Sequence, residues 1–190
     1  MKKTLVVIGV VLATLVLTSG VAQARRTGQL RTQPVDMVVI HSTGGPTCDA
    51  RTGKPIWVSA GALDENMRNI EAHPTLGIHY MLDRDGTLRA SVPENRVAHH
   101  AFRVSGRSIS IELINDGDGV DPFPETQMTA LVKLLRNITR RQRITRDGIV
   151  RHSDVDQGLL TCDITQRRKV DPGDAYPHEN VLDRVFQSKQ

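Results

Sequence analysis

Residues 35–46 read VDMVVIHSTGGP, an apolar and partly β-branched run that passes directly into a turn-rich polar segment. A short, nearly continuous apolar run bounded by turn residues is typical of a buried β-strand. The pattern therefore predicts a strand over 35–40, and His41 directly follows it. A histidine in this position would be held at the end of a rigid strand.

The rest of the chain alternates between strand-like and helix-like patterns. Strands are predicted at 78–82, 87–90, 108–113 and 149–151, and helices at 59–72, at 125–143 and from Val181 onward. The helix over 125–143 is the clearest, because its apolar side chains recur on one stripe. Ser59 is a candidate N-cap for the first helix. Without any internal repeat, this order predicts a single α/β or α+β domain with a central β-sheet flanked by helices.

The first 24 residues have the organisation of a secretory signal peptide. Lys2 and Lys3 precede a 13-residue apolar run, and Ala22-Gln23-Ala24 forms a small-residue cleavage site. The run is shorter than the roughly 20 residues that span a bilayer, although an uncleaved N-terminal anchor is the alternative. Cleavage would leave a flexible polar lead-in over 25–34 and one folded domain over 35–190. We therefore expect a periplasmic or secreted protein with no stable membrane span.

Removal of this leader lowers the formal net charge from +4 to +2, because it contains two lysines and no acidic residue. A nucleic-acid-binding protein usually has a concentrated basic face, so this balance predicts no nucleic-acid partner. Cys48 and Cys162 are the only cysteines. In an exported protein an even number of cysteines favours a disulfide, and two free thiols are the alternative.

Three side chains have the chemistry and the placement of metal ligands. His41 and His152 each follow a predicted strand, and Asp171 opens an Asp-Pro-Gly turn. Two imidazoles and one carboxylate leave a fourth tetrahedral position open, as in catalytic zinc sites. The spacing alone also allows two structural histidines, because the sequence has no His-Glu-x-x-His motif.

Glu112 and Lys169 are candidates for acid–base and charge-stabilising roles. Glu112 lies in an alternating strand, so its apolar neighbours Ile111 and Leu113 should face the opposite side of the sheet. Its carboxylate is either solvated on an open face or held at a site. Lys169 lies two residues before Asp171 and, in an extended segment, on the same side. It would either stabilise a developing oxyanion or be a solvent-exposed member of the basic run 167–169.

Six collinear segments resemble the motifs of the zinc-dependent N-acetylmuramoyl-L-alanine amidases of type 2. These enzymes share a fold with peptidoglycan recognition proteins and phage T7-type lysozymes. The segments are VVIHST (38–43), GIHY with DRDG (77–86), VAHHA (97–101), SISIE (108–112), RHSDV (151–155) and KVDPG (169–173). The resemblance implies a peptidoglycan recognition protein-like α/β fold, with residues 35–190 as the amidase catalytic domain.

The resemblance also implies a role for each candidate residue. His41, His152 and Asp171 would bind Zn²⁺. Glu112 would accept the proton of the attacking water, and Lys169 would stabilise the charged oxygen of the tetrahedral intermediate. The implied reaction is hydrolysis of the amide bond between N-acetylmuramic acid and L-alanine in peptidoglycan or in a soluble muropeptide.

Three further residues are candidates for substrate contacts. His100 matches the histidine of the family's Trp-His-Ala-Gly segment, in which His99 replaces the usual tryptophan. It would either contact the substrate or support the metal ligands from beside them, and it is not itself predicted to be a ligand. Trp57 and Thr43 are candidates by their position alone.

Several alternatives remain open at this stage. The same fold could serve as a non-catalytic peptidoglycan-binding module, as a secreted lytic toxin with the same chemistry, or as a zinc hydrolase of another bond. We expect a monomer, and the sequence identifies no inhibitor or immunity protein.

Overall fold

The computed structural model describes residues 28–187, and the predicted signal peptide at residues 1–24 lies outside this range. The strands are β1 (Gln29–Leu30), β2 (Met37–Ser42), β3 (Gly45–Cys48), β4 (Pro55–Val58), β5 (Tyr80–Leu82), β6 (Leu88–Ala90), β7 (Arg96–Val97), β8 (Ser108–Leu113) and β9 (Ile149–Arg151). The α-helices are α1 (Leu63–Ala72), α2 (Glu125–Gln142), α3 (His152–Val155) and α4 (His178–Phe186), and a 3₁₀ turn occupies Arg146–Gly148.

A five-stranded mixed sheet in the order β6-β5-β8-β2-β9 forms the centre of the fold. Strands β5, β8, β2 and β9 pair in parallel, and β6 is an antiparallel edge strand. In this register His41 lies directly opposite Glu112, and Ile40 lies opposite Arg151. The carboxyl ends of β2, β8 and β9 therefore meet at one edge of the sheet. Ligands of α/β proteins typically bind at this edge.

The two faces of the sheet differ in chemistry because side chains alternate along each strand. Ile109, Ile111 and Leu113 of β8 pack in the main apolar core, where α2 and α4 cover the sheet. Ser108, Ser110 and Glu112 consequently lie on the other face, the same face as His41. This arrangement confirms the predicted α/β class and the predicted opposition between Glu112 and its apolar neighbours.

The helices differ from their predicted bounds in ways that the backbone explains. Helix α2 follows the prediction closely and ends where Arg143 adopts a left-handed φ of 59°. Helix α1 begins at Leu63, not near Ser59, because Gly61 has a φ of 67° that no α-helix accommodates. Ser59 is therefore not the N-cap, and the cap position is Ala62. Helix α4 begins three residues before Val181, directly after Pro177.

A β-hairpin that the sequence analysis did not predict follows the loop after His41. Strands β3 and β4 pair antiparallel, with Gly45 opposite Val58 and Cys48 opposite Pro55. The Cys48–Cys162 disulfide, expected from the cysteine count, joins this hairpin to the segment that precedes Lys169. The hairpin is consequently tied to the rest of the domain on the side of the candidate ligands.

The described part of the predicted flexible lead-in, residues 28–34, is instead anchored to the domain. Strand β1 pairs with β7, and the Arg31 guanidinium donates hydrogen bonds to the backbone carbonyls of Glu94, Ser105, Gly106 and Ser108. Polar composition suggested disorder, but a guanidinium with five donors can satisfy several loop carbonyls at once. Within residues 28–187, no helix has the length and apolar character needed to cross a membrane.

Candidate metal centre and active site

The three candidate metal ligands converge at the carboxyl edge of the sheet. His41 lies near the end of β2, His152 is the first residue of α3 directly after β9, and Asp171 lies in the loop beyond. The Nδ1 atoms of His41 and His152 are 2.9 Å apart. Asp171 Oδ2 lies 2.9 Å from His152 Nδ1 and 3.3 Å from His41 Nδ1. All three side chains are buried, so three donor atoms point at one small space away from water.

The donor set fits a divalent metal ion. Ligands of a tetrahedral zinc ion, at about 2.0–2.2 Å from the metal, lie about 3.3 Å from one another, close to the separations found here. Burial lowers the pKa of the His41 imidazole to about 4, so this ring is neutral at pH 7. Burial alone would raise the pKa of the Asp171 carboxyl, but its close contacts with the His152 and His41 rings hold it well below its ordinary value. A neutral imidazole and an ionised carboxylate are the forms that bind metal.

Glu112 lies beside this cluster, across the β2–β8 pair from His41. Burial, and to a smaller extent the negative charge of Asp171, raise the pKa of its carboxyl to about 8, although the Lys169 ammonium opposes this rise. The pKa of Glu112 is thus close to neutral pH, which suits a group that both accepts and returns a proton.

A cleft of about 380 Å³ opens over the cluster. His41, His152, Asp171, Glu112 and Lys169 all line it, so the structure brings together every residue proposed for metal binding and catalysis. The remaining walls are the loop at 42–45, residues Pro46 and Thr47 of β3, Val58 of β4, Ile70 of α1, and residues 76–78, 99–100 and 168.

The candidate substrate contacts differ in their position relative to the cleft. Thr43 lines it, and its backbone N–H is bonded to the Leu113 carbonyl. Trp57 does not line it: the indole is 42% exposed on the outer hairpin and donates a hydrogen bond to the Asp116 carbonyl at 2.9 Å. His100 lines the cleft, but both of its ring nitrogens are engaged within the protein.

Close backbone packing fixes the two loops that carry the ligands. A Cβ on Gly44 would lie 2.3 Å from the Asp116 carbonyl oxygen, so the loop after His41 packs tightly against the loop after β8. Gly173, just after Asp171, has a φ of 87°, and a Cβ there would lie 2.8 Å from the Gly117 carbonyl oxygen. Both glycines let the loops approach more closely than any other residue would.

Sequence reasoning gave His100 either a substrate contact or a supporting role beside the metal ligands, but it did not identify the serines that surround the ligands. His100 Nδ1 lies 2.9 Å from His41 Nε2, and His100 Nε2 lies 3.0 Å from the Ser108 hydroxyl. The Ser108, Ser110 and Glu112 alternation was a usable signal, because these side chains share one face of a buried strand. A buried serine needs a hydrogen-bond partner, and here the partners of Ser108 and Ser110 are the histidines His100 and His79.

Known proteins with the same sequence pattern and fold are amidases and peptidoglycan recognition proteins. The 1,6-anhydro-N-acetylmuramyl-L-alanine amidase AmpD of Haemophilus influenzae is 29% identical over 165 residues, covering 80% of this chain and 84% of the relative. The structure resembles that of Escherichia coli AmiD in complex with the substrate anhydro-N-acetylmuramic acid-L-Ala-D-gamma-Glu-L-Lys. That likeness has a TM-score of 0.61 at 24% identity and covers 86% of this chain and 62% of AmiD.

The fold extends to a recognition protein as well. Drosophila peptidoglycan recognition protein SD matches with a TM-score of 0.53 at 17% identity, over 77% of this chain and 79% of that protein. This likeness supports the predicted recognition protein-like fold alone. The sequence pattern of the type 2 family described as N-acetylmuramoyl-L-alanine amidase matches residues 31–174, about three quarters of the chain. The chain therefore belongs to the N-acetylmuramoyl-L-alanine amidase family.

Proposed function

We propose that this amidase is zinc-dependent and cuts the bond between the lactyl group of N-acetylmuramic acid and L-alanine. The observation that carries the proposal is the convergence of His41 Nδ1, His152 Nδ1 and Asp171 Oδ2, with no pair of donor atoms more than 4.8 Å apart. A family likeness alone would not require these three atoms to meet. A non-catalytic binding module would not need Glu112 and Lys169 in the same cleft.

Zinc is the metal that this donor set favours. Two imidazoles and one carboxylate with an open fourth position are the ligands of catalytic zinc sites in hydrolases. Zinc in such a site lowers the pKa of a coordinated water to about 7 and polarises a carbonyl oxygen. His41, His152 and Asp171 would hold the ion at the carboxyl edge of the sheet, facing the cleft.

Glu112 is the proposed proton carrier. Its carboxylate accepts a proton from the attacking water as the carbon–oxygen bond forms, and the same carboxyl then returns the proton to the leaving nitrogen of L-alanine. A raised pKa favours this double role, because a strongly acidic carboxyl would accept a proton poorly at neutral pH. The amine product then leaves as a neutral group and not as an amide anion.

Lys169 is the proposed electrostatic stabiliser. Its side chain lines the same cleft as Glu112, and its ammonium acts to lower the pKa of the Glu112 carboxyl. A fixed positive charge there stabilises the negative oxygen that develops when water adds to the substrate carbonyl.

We propose a muropeptide or peptidoglycan as the substrate and a site of action outside the cytoplasm. The E. coli relative's substrate, anhydro-N-acetylmuramic acid-L-Ala-D-gamma-Glu-L-Lys, contains the bond in question and is the first compound to test. The leader-like sequence and the Cys48–Cys162 disulfide support an oxidising compartment. Expression of the full chain in a bacterial host should give periplasmic or medium-borne protein that begins at Arg25. Uncleaved protein confined to the cytoplasm would contradict this location.

The function is tested by identifying the bond that is cut. Zinc-loaded protein is incubated with the anhydromuramyl tripeptide and, separately, with purified sacculi, and a parallel sample contains a chelator. Mass spectrometry should find free peptides that begin with L-alanine and sugar fragments with a free lactyl carboxylate, and chelation should abolish both. Cleavage at another bond, or release that persists after removal of the metal, would contradict the proposal.

A further inference from the structure

We infer that His100 and Ser108 form a hydrogen-bond relay that selects the ring tautomer of His41 and so aims its Nδ1 lone pair at the metal. The inference rests on the proposed metal site and adds two positioning residues to it. Neither residue supplies an atom to the three-donor cluster itself.

The direction of each hydrogen bond in the relay follows from the bond that Ser108 makes with the Val104 carbonyl. The Ser108 hydroxyl lies 2.8 Å from the Val104 carbonyl, which can only accept, so the hydroxyl donates there. Its oxygen is then free to accept from His100 Nε2 at 3.0 Å. A proton on His100 Nε2 leaves Nδ1 of the neutral ring as an acceptor, and its partner is His41 Nε2 at 2.9 Å.

The consequence for His41 is a single tautomer. His41 Nε2 must carry the proton that it donates to His100, so the lone pair of the neutral ring is on Nδ1. That atom is the one that faces His152 and Asp171. The other tautomer would place a proton between the three donor atoms and would compete directly with a bound cation.

The surroundings of His100 keep the relay in place. The Ser105 hydroxyl accepts hydrogen bonds from the backbone N–H groups of His100 and Ala101, both at 3.1 Å. Arg31 donates to the carbonyls of Ser105, Gly106 and Ser108 and thereby holds the segment at 105–108 that leads into β8. The ring planes of His41 and His100 are nearly perpendicular, 86° apart with 5.0 Å between centroids, and the edges of the two rings meet through the 2.9 Å contact of His41 Nε2 with His100 Nδ1.

A matched pair of serine variants tests the relay. Ser108 and Ser110 are both fully buried on β8, face the same side of the sheet, and bond to a histidine ring. The partner of Ser110 is His79, which lies outside the three-donor cluster. Zinc affinity is measured by competition with a chromophoric chelator. We expect Ser108→Ala to weaken zinc binding about 10–100-fold, as loss of a group that orients a metal ligand typically does, and Ser110→Ala to leave it near the wild-type value.

Variants of His100 provide a second measurement that does not depend on Ser108. His100→Asn keeps an acceptor near the position of Nδ1 and should bind zinc more tightly than His100→Ala. Nitrogen-15 NMR of the zinc-loaded wild type should show both His41 and His100 protonated at Nε2. In Ser108→Ala the His100 signals should shift toward a mixture of tautomers.

The outcomes separate the relay from the proposed function. Wild-type protein that binds no stoichiometric zinc contradicts the metal site itself, and the relay with it. Wild-type protein that binds zinc, with equal affinity in Ser108→Ala and Ser110→Ala, overturns the relay and leaves the metal site standing. A His100 ring protonated at Nδ1 in the wild type overturns the relay as well.

Discussion

Asp171 supplies the negative charge of the proposed metal centre. Its carboxylate is the only acidic ligand among the three that converge, with Oδ2 2.9 Å from His152 Nδ1 and 3.3 Å from His41 Nδ1. We expect Asp171→Ala to lose zinc, because two neutral imidazoles bind the ion far more weakly than a three-ligand set. Metal content after gel filtration is the measurement. Asp174→Ala, an exposed acidic residue three positions later, is the matched control and should keep one zinc per chain.

Glu112 is predicted to act on the proton and not on the metal. Glu112→Gln should retain zinc and lose turnover by about 10²–10⁴-fold, because the amide cannot carry the proton between water and the leaving nitrogen. Turnover of the wild type should fall on acidification, since protonation of the Glu112 carboxyl removes the base. Rates and zinc content are compared with those of Glu71→Gln, an exposed change on α1. Unchanged turnover in Glu112→Gln would refute this role.

At the scale of the secondary-structure elements, the β3–β4 hairpin is the part of the cleft wall that depends on a covalent link. The disulfide closes a sequence separation of 114 residues and holds the hairpin against the segment that leads to Lys169. Replacing both Cys48 and Cys162 with serine should lower the free energy of unfolding by about 2–5 kcal/mol, since the unfolded chain then regains the entropy of an open loop. Thermal unfolding of the double variant should match that of the reduced wild type. An unchanged melting temperature would show that the hairpin is held by its other contacts.

The elements also show which parts of the fold a sequence can predict. Strand β8 and the strand that leads to His41 were predicted because their alternation and their apolar run are local patterns. The β3–β4 hairpin was missed because it has little burial and no alternation, so no periodic signal marks it. The start of α1 was misplaced because one glycine conformation decides it.

The candidate site likewise contains residues that the sequence predicted and contacts that it could not predict. The residue types at strand ends and the family motifs indicated His41, His152, Asp171, Glu112 and Lys169, which the structure places in one cleft. The contact of His100 with His41 joins residues 59 positions apart, and the side-chain contacts of Arg31 reach residues 48 to 77 positions away. Such contacts depend on the three-dimensional register of loops, so no local pattern could have shown them.

At the scale of the whole molecule, Glu94 links the N-terminal arm, the sheet and helix α2. It accepts hydrogen bonds from Tyr80 and, in bidentate fashion, from Arg141, and its backbone carbonyl accepts from Arg31. Burial alone would raise the pKa of the Glu94 carboxyl, but the hydrogen bonds from Arg141, Tyr80 and Gln142 lower it to about 2. The folded state therefore binds this proton less tightly than the unfolded state does.

The sign of the resulting pH dependence follows from this lowered pKa. The stabilisation by Glu94 is fully present above the ordinary glutamate pKa and is lost as the pH falls toward about 2. Glu94→Gln should cost about 1.5–3 kcal/mol at pH 7, the contribution of hydrogen bonds to a charged group, and much less at pH 2. Urea unfolding midpoints at the two pH values measure this difference. Equal losses at both values would contradict the assignment, and the exposed Glu65→Gln serves as control.

The central claim is that a zinc ion binds where three side chains converge at the carboxyl edge of the sheet. Anomalous diffraction from crystals grown with zinc, recorded on both sides of the zinc absorption edge, tests it most directly. We predict one strong peak per chain, bound by His41 Nδ1, His152 Nδ1 and the Asp171 carboxylate and open toward Glu112 and the cleft. A zinc-loaded, active enzyme whose anomalous peak lies elsewhere, or whose His41 binds through Nε2, would contradict this account.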